Sequence, residues 1–251
     1  MISQKIWKPD PNEFYSMSTG KSPTMSIWDH VNELRKRLFI AVISLGITTL
    51  ISFAIVPYLL DFITVPVGGI ENLQSIEITE NIGVFMRISL LSGFLFAFPI
   101  ILSQILMFIA PGLEKNEKRW IFITIPVATF LFISGAAFAY FVMLPVAIPY
   151  LINFLGVPTT PRLLSYIKFT TSLIFWLGIG FELPIVVFAL AKFHLVTPHT
   201  LLKQWRIAIV IISIVAAAIT PTIDPVNMAI LMVPLFLLYL ISVLFAFIAI
   251  R

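Results

Sequence analysis

Long uncharged apolar runs alternate with short polar segments along this chain. A membrane-spanning helix needs about 20 mostly apolar residues. Runs over residues 38–60, 88–113, 121–144, 169–191, 207–223 and 226–250 are candidates. Arg37 and Asp61 bound the first, and Arg87 and Glu114 the second. Only Glu182 interrupts the fourth, and Asp224-Pro225 separates the last two. The uncharged stretch 120–161 is too long for one span, and Pro145, Pro149, Pro158 and Pro161 crowd its second half. Proline disrupts helix interiors, so span three is expected to end near residue 144, with an irregular segment to 165. Pro221 leaves span five about 14–15 helical residues, or roughly 21 Å, against a hydrocarbon core of about 30 Å. Spans five and six are therefore expected as a short hairpin sitting shallow in the bilayer. The runs are continuous rather than alternating, which argues against a β-barrel. The pattern predicts an all-α integral membrane protein with six transmembrane helices over 26–251.

Composition agrees. Of 251 residues, 59% are hydrophobic and 11% charged, where a soluble domain has about 25% charged. There is no Cys, which excludes disulfides, thiolate metal sites and cysteine nucleophiles. Of the 16 basic residues, 13 fall before span one, after span two, after span four or at the C-terminus. The other three are Arg87, Arg162 and Lys168. The loop after span one holds Asp61, Glu71, Glu77 and Glu80. By the positive-inside rule both termini are expected in the cytoplasm. Residues 1–25 are polar and lack the apolar run of a signal peptide; they are expected to form a disordered cytoplasmic tail.

Ser26 and Asp29 are spaced like a capping box with Asp in place of Glu. Ile27, Val31, Leu34 and Leu38 then share one helical face. This predicts an amphipathic lead-in lying along the membrane surface before span one. On its polar side Glu33 and Arg37 stand four apart, a spacing that suits a surface ion pair or leaves Glu33 as acceptor for an external cation. After Pro111-Gly112, Glu114, Lys115, Glu117, Lys118 and Arg119 form a second charged segment. Within the membrane, Glu182 would cost at least a few kcal/mol if charged and unpaired, so it is a candidate functional group. Gly178 and Gly180 beside it permit close helix approach.

Rival classes find little support. His30, His194 and His199 form no H-E-x-x-H pattern, and there is no nucleotide-binding loop. An enzyme is not expected, and neither a metal nor a cofactor is implied. A secondary transporter of a small solute remains the alternative, although such proteins usually carry several polar groups within spans and internal repeats.

Five segments occur in order: Asn32-Glu-Leu-Arg-Lys-Arg-Leu38, Phe108-Ile-Ala-Pro-Gly-Leu113, Ala137-Phe-Ala-Tyr-Phe-Val142, Gly180-Phe-Glu-Leu-Pro184 and Ile219-Thr-Pro-Thr-Ile-Asp-Pro225. With them the chain resembles the TatC family, the multispanning receptors of the twin-arginine protein translocase, over about residues 26–250. The resemblance implies a concave bundle that recognises twin-arginine signal peptides of folded cargo in an energised membrane. It matches Glu33 and Glu117 to the glutamates that read the arginines, with Arg35, Lys115, Arg119 and Phe108 on the same surface. Carboxylate accepts the guanidinium fork bidentately, and lysine cannot reproduce that geometry. Lys115-Asn116-Glu117 departs from the commoner family pattern, which has His in the middle, but keeps the glutamate. Glu182 is implied as a polar spot on the concave face. Thr220, Asp224 and Asn227 are implied to help dock single-span TatA- and TatB-type partners, although turn chemistry also accounts for them. Pro66 belongs to the outer cap, and Tyr140 either lines the concave face or is an interfacial aromatic. Self-association and lipid contact are expected, and no nucleic-acid partner. The location implied is the bacterial plasma membrane, or alternatively the thylakoid.

Overall fold

The computed structural model describes residues 27–109, 118–153, 156, 159–193, 195–219 and 225–250. Lys115, Glu117, Thr220 and Asp224 lie outside them, as does the segment 1–25. Among the described residues the architecture is helical throughout, and the only β pairing is one isolated bridge, Gln74 to Arg162.

The first span is α1, Ile27–Ser52, continued through a 3₁₀ turn (Phe53–Ile55) into α2, Val56–Thr64. The apolar lead-in is not a separate surface helix. It runs unbroken into the membrane segment, because no Gly or Pro between Ile27 and Leu45 offers a stop. Most of this span's large side chains, including Leu38, Phe39, Val42 and Ile47, are exposed. Exposure of that kind suits a helix solvated by lipid.

The second span is α3, Glu80–Ile109. The third begins as α4, Lys118–Phe138, passes through a π turn at Ala139–Met143, and continues as α5, Leu144–Ile152. The expected irregular segment is therefore helical as far as Ile152. The Leu144 N–H bonds the Ala139 carbonyl five residues back, so the ladder has already changed register where Pro145 withholds its donor.

The fourth span is two helices, α6 (Leu163–Gly180) and α7 (Leu183–Lys192). Pro184 causes the break, since it has no N–H to offer the Gly180 carbonyl. The Glu182 N–H bonds Ile179 at 3.0 Å instead, tightening the turn. A short helix α8, Pro198–Lys203, is capped by Thr197, whose Oγ1 accepts from the Thr200 N–H. It leads to α9, Trp205–Ile219.

At 15 residues, α9 is as short as expected. The final span is not. Helix α10, Pro225–Ile250, has 26 residues and a length of about 39 Å. Pro234 lies inside it without ending it. Among the described residues there are thus five spans of full length and one short apolar helix.

Helix α3 packs against α1, α4 and α6; α4 packs on α6, and α10 on α7 and α9. Phe94 meets Phe98, Phe132 and Phe175 edge-on, and Phe98 stacks on Phe132 at 3.9 Å between ring centroids. Thr48 on α1 donates to the Gly93 carbonyl on α3 at 2.8 Å. Lipid tails are as apolar as Leu, so helices in a bilayer associate through close packing and polar contacts of these kinds.

Candidate functional site

Two groups of polar side chains stand at opposite ends of the bundle, with Glu182 between them. The first lies where α1 meets the end of α3. Glu33 and Arg37 fall on one side of α1 because they are one helical turn apart, and Arg37 Nη2 donates to Glu33 Oε1 at 3.2 Å. Arg37 Nη1 reaches α3, donating to Gln104 Oε1 at 3.4 Å and lying 3.3 Å from Met107 Sδ. The ring of Phe108 stacks on His30 at 4.4 Å.

The pair is more than a solvated surface contact. Side-chain exposure is 19% for Glu33 and 28% for Arg37. Among the described residues, Glu33 Oε2 is buried without a hydrogen-bond partner, and so is Arg37 Nε. A buried carboxylate oxygen without a donor is costly and can accept one from a ligand. Arg35 is exposed on the same helix. Arg119 belongs to the first turn of α4, with its side chain outside the described part. Glu33 and Phe108 are thus brought together, while the positions of Lys115 and Glu117 fall in the undescribed segment.

Glu182 sits at the break between α6 and α7. Its carboxyl lies beside the Phe132 backbone of α4, and Oε1 is buried without a hydrogen-bond partner among the described residues. Helices α4 and α6 come unusually close here. A Cβ on Gly178 would lie 2.6 Å from the Phe132 ring, and one on Gly135 would lie 2.8 Å from the Leu177 carbonyl oxygen. The expected close approach at Gly178 is therefore present, and it is what brings the carboxyl against a neighbouring helix.

The opposite end is closed by the segment between α2 and α3. Pro66 lies in a 3₁₀ turn, Val65–Val67. Tyr140 is buried, stacks on Phe62 at 4.2 Å and donates to the Phe62 carbonyl at 2.6 Å. Tyr166 does the same to Ile63 at 2.7 Å. Tyr140 is thus a bolt between span three and the last turn of α2, where the chain enters the cap.

Sequence reasoning missed the knot that holds this cap. Glu80 is fully buried at the first turn of α3. Its carboxylate accepts from the Ile76 N–H (3.0 Å), the Leu164 N–H (2.6 Å) and Arg162 Nε (3.1 Å). Arg162 Nη2 also pairs with Glu77 at 2.7 Å. Pairing with Glu77 first, and with Glu80, raises the Arg162 guanidinium above its ordinary value. The sequence signal was present in Arg162, one of three basic residues outside the main clusters. Nothing local in the chain connects it to an acid 82 positions away.

Asn227 lies on the first turn of α10, with its side chain outside the described part. The grip of Thr220, Asp224 and Asn227 on a partner helix therefore rests on the sequence alone.

Residues 29–234 match the family model "TatC: Sec-independent protein translocase protein (TatC)". A Sec-independent protein translocase protein TatC of Carboxydothermus hydrogenoformans is 35% identical over 225 residues, covering 88% of this chain and 93% of that protein. One from Deinococcus radiodurans is 36% identical over 250 residues, 96% of this chain and 89% of the other. The chloroplastic TATC of Pisum sativum is 33% identical, covering 86% of this chain and 62% of its own length. Among solved structures, the "Twin Arginine Translocase Receptor- TatC" superposes with a TM-score of 0.79 at 34% identity, over 88% of this chain and 100% of that one.

Proposed function

Because this chain belongs to the TatC family of Sec-independent protein translocase proteins, we propose that the corner built by Glu33, Arg37 and Phe108 is its contact for the arginine pair of a signal peptide. The protein is a multi-pass membrane protein of the receptor type in a Sec-independent translocase, at home in a bacterial or thylakoid membrane. The small-solute transporter is set aside, and the family is one of translocase components rather than enzymes.

The observation that carries the proposal is the half-used carboxylate of Glu33. One oxygen is held by Arg37 and the other is buried without a donor among the described residues. An incoming guanidinium supplies that donor and shares the carboxylate with Arg37. Its planar fork suits the remaining lone pairs, whereas an ammonium offers only a point charge. Glu117 acts as the second acceptor in this reading, with Arg35, Lys115 and Arg119 orienting the carboxylates or meeting lipid phosphate. Phe108 gives the motif an apolar wall.

In the same reading Glu182 offers a polar partner to a helix inserted beside α4, and Thr220, Asp224 and Asn227 grip the ends of TatA- and TatB-type helices. Both termini face the cytoplasm, because 13 of 16 basic residues then do so. The proton-motive force supplies the energy.

The test is binding of a twin-arginine signal peptide, against its twin-lysine version, to the detergent-solubilised protein. Glu33→Gln is expected to weaken the twin-arginine peptide at least tenfold and to reduce the difference between the two peptides. Equal binding of both peptides to the unaltered protein would return Glu33 to an intramolecular ion pair.

A further inference from the structure

A cavity of about 370 Å³ opens between α1, α3 and α6. Leu45, Leu90, Phe94, Phe175 and Trp176 make it apolar, and Arg87 stands in its wall with the hydroxyls of Thr171 and Ser172. Arg87 is exposed and makes no ion pair among the described residues. Of the acids of the neighbouring cap, Glu77 and Glu80 are taken by Arg162.

Depth identifies the occupant. Helix α3 has 30 residues, about 45 Å of rise, so it overhangs a hydrocarbon layer of about 30 Å by several ångströms at each end. Arg87 lies seven residues beyond Glu80, or about 10 Å along the axis from the cap-side end. That is the edge of the hydrocarbon, within reach of the phosphate layer for a long side chain. Phe94 lies two turns deeper on the same helix. The cavity therefore offers a cation at headgroup level and an aromatic slot descending into the acyl region.

We infer that this groove holds one acyl chain of an anionic phospholipid from the cap-side leaflet, with its phosphate on the Arg87 guanidinium. Guanidinium pairs with phosphate through two parallel hydrogen bonds, and an unpaired cation in this position favours a lipid of net negative charge. Thr171 lines the slot and already donates to the Ile167 carbonyl at 2.6 Å, so toward a ligand its hydroxyl can act only as an acceptor. Held in this way, the lipid seals α1, otherwise the most exposed span, against α6. The inference does not depend on what the Glu33 corner recognises.

Native mass spectrometry of the full-length protein, with phosphatidylglycerol or phosphatidylcholine added, tests this. Phosphatidylglycerol is expected to be retained at least fivefold better than phosphatidylcholine. Arg87→Gln should reduce that retention at least fivefold, whereas Lys168→Gln, exposed on α6 but outside the cavity, should change it less than twofold. Ser172→Phe, which fills the slot and leaves Arg87 in place, should also release the lipid. Should Arg87→Gln fail to fold, Ser172→Phe decides alone. Equal retention of the two lipids, or undiminished phosphatidylglycerol in whichever of Arg87→Gln and Ser172→Phe folds, overturns the inference. So does a photo-crosslinker at Ser172 that captures a polypeptide instead of a lipid in native membranes.

Discussion

At the scale of single residues, two carboxylates show how burial separates structural from receptive groups. Glu80 and Glu33 are both acidic and both shielded from solvent, but both oxygens of Glu80 accept hydrogen bonds, whereas Glu33 Oε2 has no donor among the described residues. A satisfied buried charge holds the fold, and removal of its partner leaves an uncompensated ion. Arg162→Ala is therefore expected to lower the thermal midpoint of the detergent-solubilised protein by roughly 5–10 °C. The double variant Glu80→Gln with Arg162→Ala should recover part of that loss, since the stranded charge is gone. Tryptophan fluorescence during heating reads both. A double variant less stable than Arg162→Ala would mean that the backbone bonds to Glu80, rather than the ion pair, carry the cap. The Glu33–Arg37 pair was legible from its four-residue spacing. Its link to Gln104 on α3 was not, because that contact spans 67 positions.

At the scale of elements, proline was over-read in span three and overlooked in span four, which the sequence pattern took as one run over 169–191. Pro145 and Pro149 lie within a span that continues to Ile152, because the π turn before them absorbs the missing donor. Pro184 does break its span, and it places Glu182 at the break. Pro234 leaves α10 whole. Propensity identifies where the ladder is short of a hydrogen bond, but whether the helix ends there depends on the neighbours that can support it. The contact between α4 and α6 makes a clean prediction. Gly178→Leu drives a side chain into Phe132 and should lower both the thermal midpoint and the yield of folded protein. Phe130→Leu on the exposed face of α4 should do neither. Size-exclusion profiles and unfolding curves compare the two, and an unaffected Gly178→Leu would show that α4 and α6 can part without cost.

At the scale of the whole molecule, the absence of cysteine makes the orientation directly measurable. A Ser75→Cys variant should react with a membrane-impermeant maleimide applied outside intact cells. A Thr200→Cys variant should react only after permeabilisation. The reverse pattern would invert the proposed topology. Purified alone in liposomes, the protein is expected not to transport folded cargo, since six helices packed around an aromatic core leave no room for a folded domain. Transport by the chain alone, read by protease protection of the cargo, would show that the conduit does not need partner subunits.

The sequence by itself determined the number of spans, the brevity of span five, the charge asymmetry and the i, i+4 pair of Glu33 and Arg37. These follow from composition and local periodicity, which lipid as solvent makes unusually strict. The five ordered segments also carried the family. Only the tertiary structure decided which prolines break a helix, that α10 spans in full, that Tyr140 and Tyr166 bolt the cap, and that Glu80 and Arg162 meet across 82 positions. It likewise placed Arg87 over an apolar slot built from three helices. Such contacts depend on how helices are packed, and packing joins residues that no spacing along the chain relates.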